Sequence, residues 1–99
     1  MNLATQYMDN KVILSIEPIE AKKIIYNMVQ TLCNDYTQKV EKENLKYITD
    51  RIYQVISERH KGLTFKYFKK AIIEVETNST NYRIVNVASI LTALTKVLQ

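Results

Sequence analysis

The sequence predicts an all-α fold: a compact bundle or orthogonal array of about four amphipathic helices, with a less regular N-terminal arm. Three observations lead to this prediction. The chain has 99 residues, a common size for one domain, and 46% of them are hydrophobic, enough for one core. A single glycine and a single proline leave few turn formers, so the length is spent on long elements. From residue 18 onward, apolar residues recur at intervals of three and four, which is the helical period.

Residues 1–17 form the predicted arm, and residues 18–99 form the predicted helical domain. Leu3 to Met8 is expected to form a short helical turn, whereas Lys11 to Ile16 has strand character. The sequence offers no second strand, and a lone strand is not stable. The arm is therefore expected to be ordered on the bundle or partly frayed.

The first helix is predicted to begin at Pro18, because proline fits the first turn, where its missing N–H is not needed. It should end around Asn34 to Tyr36. Cys33 lies on the apolar face of this helix and is predicted to be a buried small hydrophobic residue rather than a reactive thiol. That face is formed by Ala21, Ile24, Ile25, Met28, Val29, Leu32 and Cys33.

The second helix is predicted over roughly Glu41 to His60, and Gly62 is expected to stop it. Thr64 is the predicted N-cap of a third helix, which runs to about Glu76. The core positions of these two helices are Leu45, Ile48, Ile52, Val55 and Ile56, then Phe65, Phe68, Ile72 and Val75.

A polar loop from Thr77 to Asn81 separates the third helix from the last one. Asn86 is the predicted N-cap of that last helix. Its core face is predicted to be Val87, Leu91, Leu94 and Leu98.

Several classes of catalytic and cofactor site find no support in the sequence. One glycine cannot form the glycine-rich loop that cradles a phosphate, and one cysteine excludes multi-cysteine zinc sites. The only histidine, His60, sits between two cationic residues at a predicted helix end, which is typical of a solvated residue. Neighbouring acids such as Glu41 and Glu43 are two residues apart and point to different sides of a helix. We expect a non-catalytic protein without a metal or cofactor.

The positive charge is concentrated in the second half of the chain. Residues 1–50 hold six Lys and seven acids, whereas residues 51–99 hold eight Lys or Arg and three acids. The stretch from Arg59 to Lys70, here called the basic segment, contains no acid. Such a segment is either a solvated basic face or a surface that binds an acidic protein or the nucleic-acid backbone, and binding is the prediction adopted. The predicted binding residues are Arg59, Lys61, Lys66, Tyr67, Lys69 and Lys70.

The N-terminus lacks a basic stretch followed by an apolar one, so we expect no secretion signal. No apolar run approaches the ~20 residues that a membrane span needs. A single cysteine excludes an intramolecular disulfide. These features predict a cytoplasmic protein that does not partner with a membrane.

The apolar pattern from about residue 20 to 98 resembles the small helical domain of bacteriophage and bacterial helicase-loader or replisome-organiser proteins. The residues that carry the resemblance are Leu32, Tyr36, Ile52, Tyr53, Ile56, Leu63, Thr64, Phe68, Ala71, Ile72, Val87, Ala88, Ile90 and Leu91. Unlike typical members, the chain has no tryptophan and no proline between Thr80 and Asn86. The resemblance implies an adaptor in DNA replication that binds protein partners and catalyses nothing itself.

Three functional hypotheses follow. The first is a non-catalytic adaptor, a replication accessory factor of a phage or mobile element. The second is a small transcriptional regulator that binds DNA as a dimer, although the polar connection from Thr77 to Asn81 is long for a helix-turn-helix. The third is a structural subunit that forms a homo-oligomer through Tyr26, Tyr47 and Tyr53, which lie off the main apolar stripes.

Overall fold

The computed structural model describes residues 8–99, and within them the chain folds into four long α-helices. These are α1 (Pro18–Asp35), α2 (Lys42–Arg59), α3 (Phe65–Thr77) and α4 (Val87–Val97), preceded by a 3-10 turn at Ile13–Ser15. The all-α prediction is confirmed: the first three helices begin and end within two residues of their predicted bounds, and α4 begins directly after its predicted cap. The helical turn predicted for Leu3 to Met8 lies, apart from Met8, outside the described residues.

The helices enclose one core. Helix α1 packs against both α2 and α3, and α3 packs most extensively against α4. The principal extents are nearly equal, at 32 × 31 × 30 Å, so the molecule is close to isometric rather than elongated. Cys33 is buried as predicted, and burial raises the pKa of its thiol. The largest fully buried side chains are Phe65, Phe68, Ile13, Ile25, Leu32, Ile52, Ile56, Ile90 and Leu94.

The strand-like segment before α1 has a partner that the sequence did not reveal. The Ile13 N–H donates to the Leu63 carbonyl at 2.8 Å, and the Phe65 N–H donates to the Lys11 carbonyl at 3.1 Å. Together they form a short antiparallel bridge between Val12 and Thr64. The expectation that this segment has nothing to pair with was wrong, because its partner is the connection between α2 and α3.

Two predicted roles in the same connection also differ from the structure. Thr64 occupies the N-cap position of α3, but its side chain makes no capping hydrogen bond. Gly62 does not adopt a positive φ, so it is not the left-handed stop that was expected after α2. Helix α2 ends at Arg59 instead, and a turn in which the Leu63 N–H donates to the His60 carbonyl brings Leu63 into the core.

The cap of α4 is confirmed, whereas its predicted core face is only partly correct. The Asn86 side chain accepts from the Ser89 N–H at 2.8 Å, and the Ser89 hydroxyl accepts from the Asn86 N–H at 2.9 Å, which makes a reciprocal capping box. The buried face consists of Ile90, Ala93 and Leu94, while Leu98 is 41% exposed. Apolar residues cover so much of this helix that periodicity alone did not select the face.

Side chains of the α1–α2 connection hold the α3–α4 connection in place. The Tyr36 hydroxyl lies 2.6 Å from the Val75 carbonyl and 2.7 Å from the Tyr82 carbonyl, and these two oxygens share its single donor proton. The Gln38 amide makes a two-fold contact with the backbone of Val85: its Nε2 donates to the carbonyl at 3.0 Å, and its Oε1 accepts from the N–H at 2.9 Å. The two connections are thereby joined on one side of the core.

Helix α1 ends in a Schellman turn built without glycine. The Gln38 N–H donates to the Cys33 carbonyl and the Thr37 N–H donates to the Asn34 carbonyl, both at 2.9 Å. Thr37 has a φ of 51°, in the left-handed region that disfavours β-branched residues. The turn therefore carries strain at Thr37 while directing Gln38 toward Val85.

We expect Ile13→Ala to lower the free energy of unfolding by about 2–5 kcal/mol, because it removes a fully buried side chain from the core. Urea unfolding followed by circular dichroism measures the change. The matched control is Ile19→Ala at a position that is 81% exposed, where we expect a change within about 0.5 kcal/mol. Equal, small effects of both substitutions would show that the segment before α1 is not part of the core.

We expect Thr37→Gly to raise the free energy of unfolding by up to about 1 kcal/mol, because glycine adopts a positive φ without a Cβ clash. Thr37→Ala is the control, since alanine removes the hydroxyl but keeps the Cβ. The same urea titration compares the two. A gain from alanine as large as that from glycine would mean that the left-handed backbone is not the source of the strain.

Candidate partner-binding groove

The structure brings only part of the basic segment together. Lys66, Lys69 and Lys70 lie in the first two turns of α3 at spacings of three and four, so they share one face of the helix. Arg59, at the end of α2, and Lys61, in the following turn, are exposed and do not line the groove that these three lysines border. Tyr67 is 41% exposed, and its ring stacks beneath a lysine rather than facing that groove.

The three lysines border an apolar groove between α1 and α3, called here the α1–α3 groove. Its volume is about 630 Å³. Helix α1 contributes Ile24, Met28 and Leu32 to the lining, and α3 contributes Ile72 and Ile73. Leu32 and Ile72 form the closed floor, whereas Ile73 is 54% exposed. The groove therefore offers apolar surface to a partner next to a cluster of positive charge.

Two of the lysines are held by neighbouring groups. Lys69 Nζ lies 2.8 Å from Asp9 Oδ1, so the segment before the bridge contributes a carboxylate to the rim of the groove. Lys70 Nζ lies 4.9 Å from the centroid of the Tyr67 ring, a cation–π contact that restrains the side chain without neutralising it. Lys66 is exposed and takes part in no ion pair within residues 8–99. The lysine end of the groove therefore carries a net positive charge.

The opposite end of the groove is acidic. Glu76 lines it from the last turn of α3, about 9 Å along the helix axis from Lys70. A side-chain hydrogen bond with Asp35, at the end of α1, raises the pKa of Glu76, and desolvation and repulsion between the two acids raise it further. The groove thus has a basic end, an apolar middle and an acidic end.

The described residues contain no cluster of metal-ligating side chains. Across residues 8–99, no three His, Cys, Asp or Glu side chains come close enough together to hold a metal ion. In the same part of the chain, no helix is both long and apolar enough to cross a lipid bilayer.

Comparisons with family models, curated proteins and solved structures give no match to this chain.

Sequence reasoning identified the lysines of the groove but missed its apolar lining. Ile24 and Met28 were assigned to the core face of α1, yet both stay partly exposed beside α3. Ile73 lies off the predicted stripe of α3. The available signal was the width of the apolar arc on α1, which exceeds the stripe that one neighbouring helix covers.

We expect Asp35→Ala to lower the pKa of the Glu76 carboxyl toward its ordinary value of 4.5, because the hydrogen bond that raises it is lost. Carbon-detected NMR of the side-chain carboxyl over a pH series measures this. A raised pKa in the folded state means that Glu76 stabilises the fold below pH 4.5 and that this contribution is lost as pH rises through the folded value. The pH dependence of urea unfolding should weaken in the variant, and an unchanged pKa would exclude the contact with Asp35.

Proposed function

We propose that this chain is a non-catalytic adaptor that binds an amphipathic, partly acidic helix of a partner protein in the α1–α3 groove. The observation that carries the proposal is the apolar groove bordered at one end by Lys66, Lys69 and Lys70. Grooves of this kind recognise the apolar face of a helix through side chains at positions i, i+3, i+4 and i+7.

The apolar lining supports a protein partner over a purely ionic one. Ile24, Met28 and Ile73 present aliphatic and thioether surface, which gains free energy from burial against another apolar surface. Met28 is unbranched and flexible, so it adapts to the shape of a partner side chain. Nucleic-acid phosphates would make no use of these residues.

The charges along the groove support one orientation of the partner. Acidic side chains fit the end bordered by Lys66 and Lys70, whereas the Glu76 and Asp35 end repels them. Lysines attract carboxylates as flexible point charges, without the fixed two-point geometry of arginine. The lysines therefore favour an acidic partner over a basic one and determine the direction in which its helix lies, more than they tighten binding.

The resemblance to helicase-loader and replisome-organiser domains supports a more specific form of this proposal. In that form the partner is a protein of the DNA-replication apparatus of a phage or mobile element, and the chain acts in the cytoplasm. The lone, buried Cys33 suits a reducing compartment, where thiols remain unpaired.

The two other functional hypotheses draw less support from the groove. A transcriptional regulator would place the same lysines on DNA, but Lys69 already contacts Asp9, and Arg59 and Lys61 lie outside the groove lining. A homo-oligomeric subunit would use exposed tyrosines, of which Tyr47 is 64% exposed while Tyr26 and Tyr53 are half-buried.

The test uses a synthetic peptide of about 16 residues, roughly 24 Å as a helix. It carries leucines at i, i+3, i+4 and i+7, and glutamates in its first two turns, where the helix dipole favours them. A second peptide has lysine in place of each glutamate. We expect the acidic peptide to shift the NMR resonances of Ile24, Met28 and Ile73 and to bind about tenfold more tightly than its basic counterpart.

Charge reversal on the protein provides the control. Lys66→Glu combined with Lys70→Glu should reverse the preference, so that the basic peptide binds more tightly. Lys23→Glu combined with Lys46→Glu makes the same change in net charge outside this groove and should leave the preference intact. The proposal is overturned if the acidic peptide leaves the groove resonances unmoved at about 1 mM, or if both double variants behave alike.

A further inference from the structure

A second groove, on a different flank of α1, gathers lysines that are scattered in the sequence. This α1–α2 groove lies between the first two turns of α1 and of α2, and its volume is about 590 Å³. Lys22 and Lys23 line it from α1, and Lys42 and Lys46 line it from α2. Thus four of the six lysines in residues 1–50, a region with a slight excess of acids, converge on one surface.

Most of this charge is not neutralised. Lys22 Nζ lies 3.3 Å from Asp50 Oδ1 and 5.3 Å from the centroid of the Tyr53 ring, so one of the four is engaged. Asp50 is the only carboxylate among the described residues that line the groove. Lys23, Lys42 and Lys46 are exposed and make no ion pair within the described part of the chain.

The position of Lys42 adds to this picture. It is the first residue of α2, where the positive end of the helix dipole disfavours a cation. The Glu41 side chain makes no capping hydrogen bond there, so its carboxylate does not bond the N–H groups of the first turn. Glu41 and Glu43 flank Lys42 in the chain but do not line the groove, so within the lining Lys42 adds to the positive charge of the other lysines.

We infer that the α1–α2 groove binds the phosphate backbone of nucleic acid. Several lysines on flexible stems suit repeated phosphates, which need neutralisation rather than a fixed geometry. Tyr26 lies among the lysines and offers an aromatic face beside them, a combination found on surfaces that track nucleic-acid strands. A membrane surface fits less well, because among residues 8–99 Ile19 is the one strongly exposed apolar side chain of the groove.

This inference does not depend on the proposed function, because a different groove carries it. It adds a second binding partner to the one proposed above. Helix α1 lines the two grooves with different sides. Ile24 and Met28 line the α1–α3 groove, whereas Lys22, Lys23 and Tyr26 line the α1–α2 groove. A protein helix in one groove and nucleic acid in the other would both be in contact with α1. The chain would then connect a protein to nucleic acid without reading sequence, since no arginine lines the second groove in the part of the chain that the structure describes.

The experiment measures binding of the whole chain to a 20-nucleotide oligo-dT and to a 20-base-pair duplex by fluorescence anisotropy, from 25 to 300 mM salt. The variant carries Lys23→Gln, Lys42→Gln and Lys46→Gln. We expect it to weaken binding roughly tenfold or more at low salt and to reduce the slope of log Kobs against log[salt] by about two to three. NMR shifts caused by oligo-dT should map to α1 and α2 around Tyr26.

The matched control carries Lys61→Gln, Lys66→Gln and Lys70→Gln, which removes the same charge from exposed positions elsewhere. It should retain nucleic-acid binding but lose preference for the acidic peptide, so the two proposals fail separately. Circular dichroism verifies that both triple variants fold.

Three results would overturn the inference. One is no binding to either nucleic acid at 25 mM salt. Another is an equal loss of binding in both triple variants, which would reflect net charge alone. The third is binding to phosphatidylserine-containing vesicles, but not to nucleic acid, that is lost in Ile19→Ala, which would assign the groove to a membrane surface.

Discussion

The packing of α1 against both α2 and α3 is the constraint on which the rest of the structure depends. One side of α1, including Ala21, Ile25 and Val29, is fully buried. Because one helix cannot be covered all round by two crossing neighbours, uncovered strips remain along its flanks. One strip is apolar and contains Ile24 and Met28; the other is basic and contains Lys22 and Lys23. Both candidate surfaces therefore follow from where α1 lies in the core.

The segments that connect the helices also contribute buried side chains to this small core. Ile13, Leu63, Tyr82 and Val85 lie outside the four helices, yet all four are buried. A domain of about 100 residues buries a smaller fraction of its surface than a larger one, so each buried side chain counts for more. The hydrogen bonds of Tyr36 and Gln38 satisfy backbone groups that this burial removes from water.

The existence of the helices was predictable from sequence because their apolar residues repeat with the helical period. Local signals such as Pro18 and Asn86 also located two helix starts correctly. The pairing of Val12 with Thr64 was not predictable, since it joins two short segments that carry no period. The choice of face on α4 was only partly correct, because its apolar arc is wide enough to admit two faces.

The candidate sites show the same difference between patterns within one helix and contacts between separate segments. Lys66, Lys69 and Lys70 were found because neighbours on one helix share a face. Arg59 and Lys61, next to them in the chain, were grouped with them although a turn separates them from α3. The cluster of Lys23, Lys42 and Lys46 was invisible, because it arises only when α1 and α2 pack together. Sequence proximity identifies surfaces within an element, whereas packing creates those between elements.

The bridge between Val12 and Thr64 also bears on the order in which the molecule assembles. It closes a loop that contains the whole of α1 and α2, so forming it early would restrict a long stretch of unfolded chain. The turns within each helix involve near neighbours and carry no such entropic cost. We therefore expect Ile13 to enter the core after the helices have met, so that losing its contacts speeds unfolding more than it slows folding. The segment before α1 then stabilises the core after it has formed and is not part of the folding nucleus.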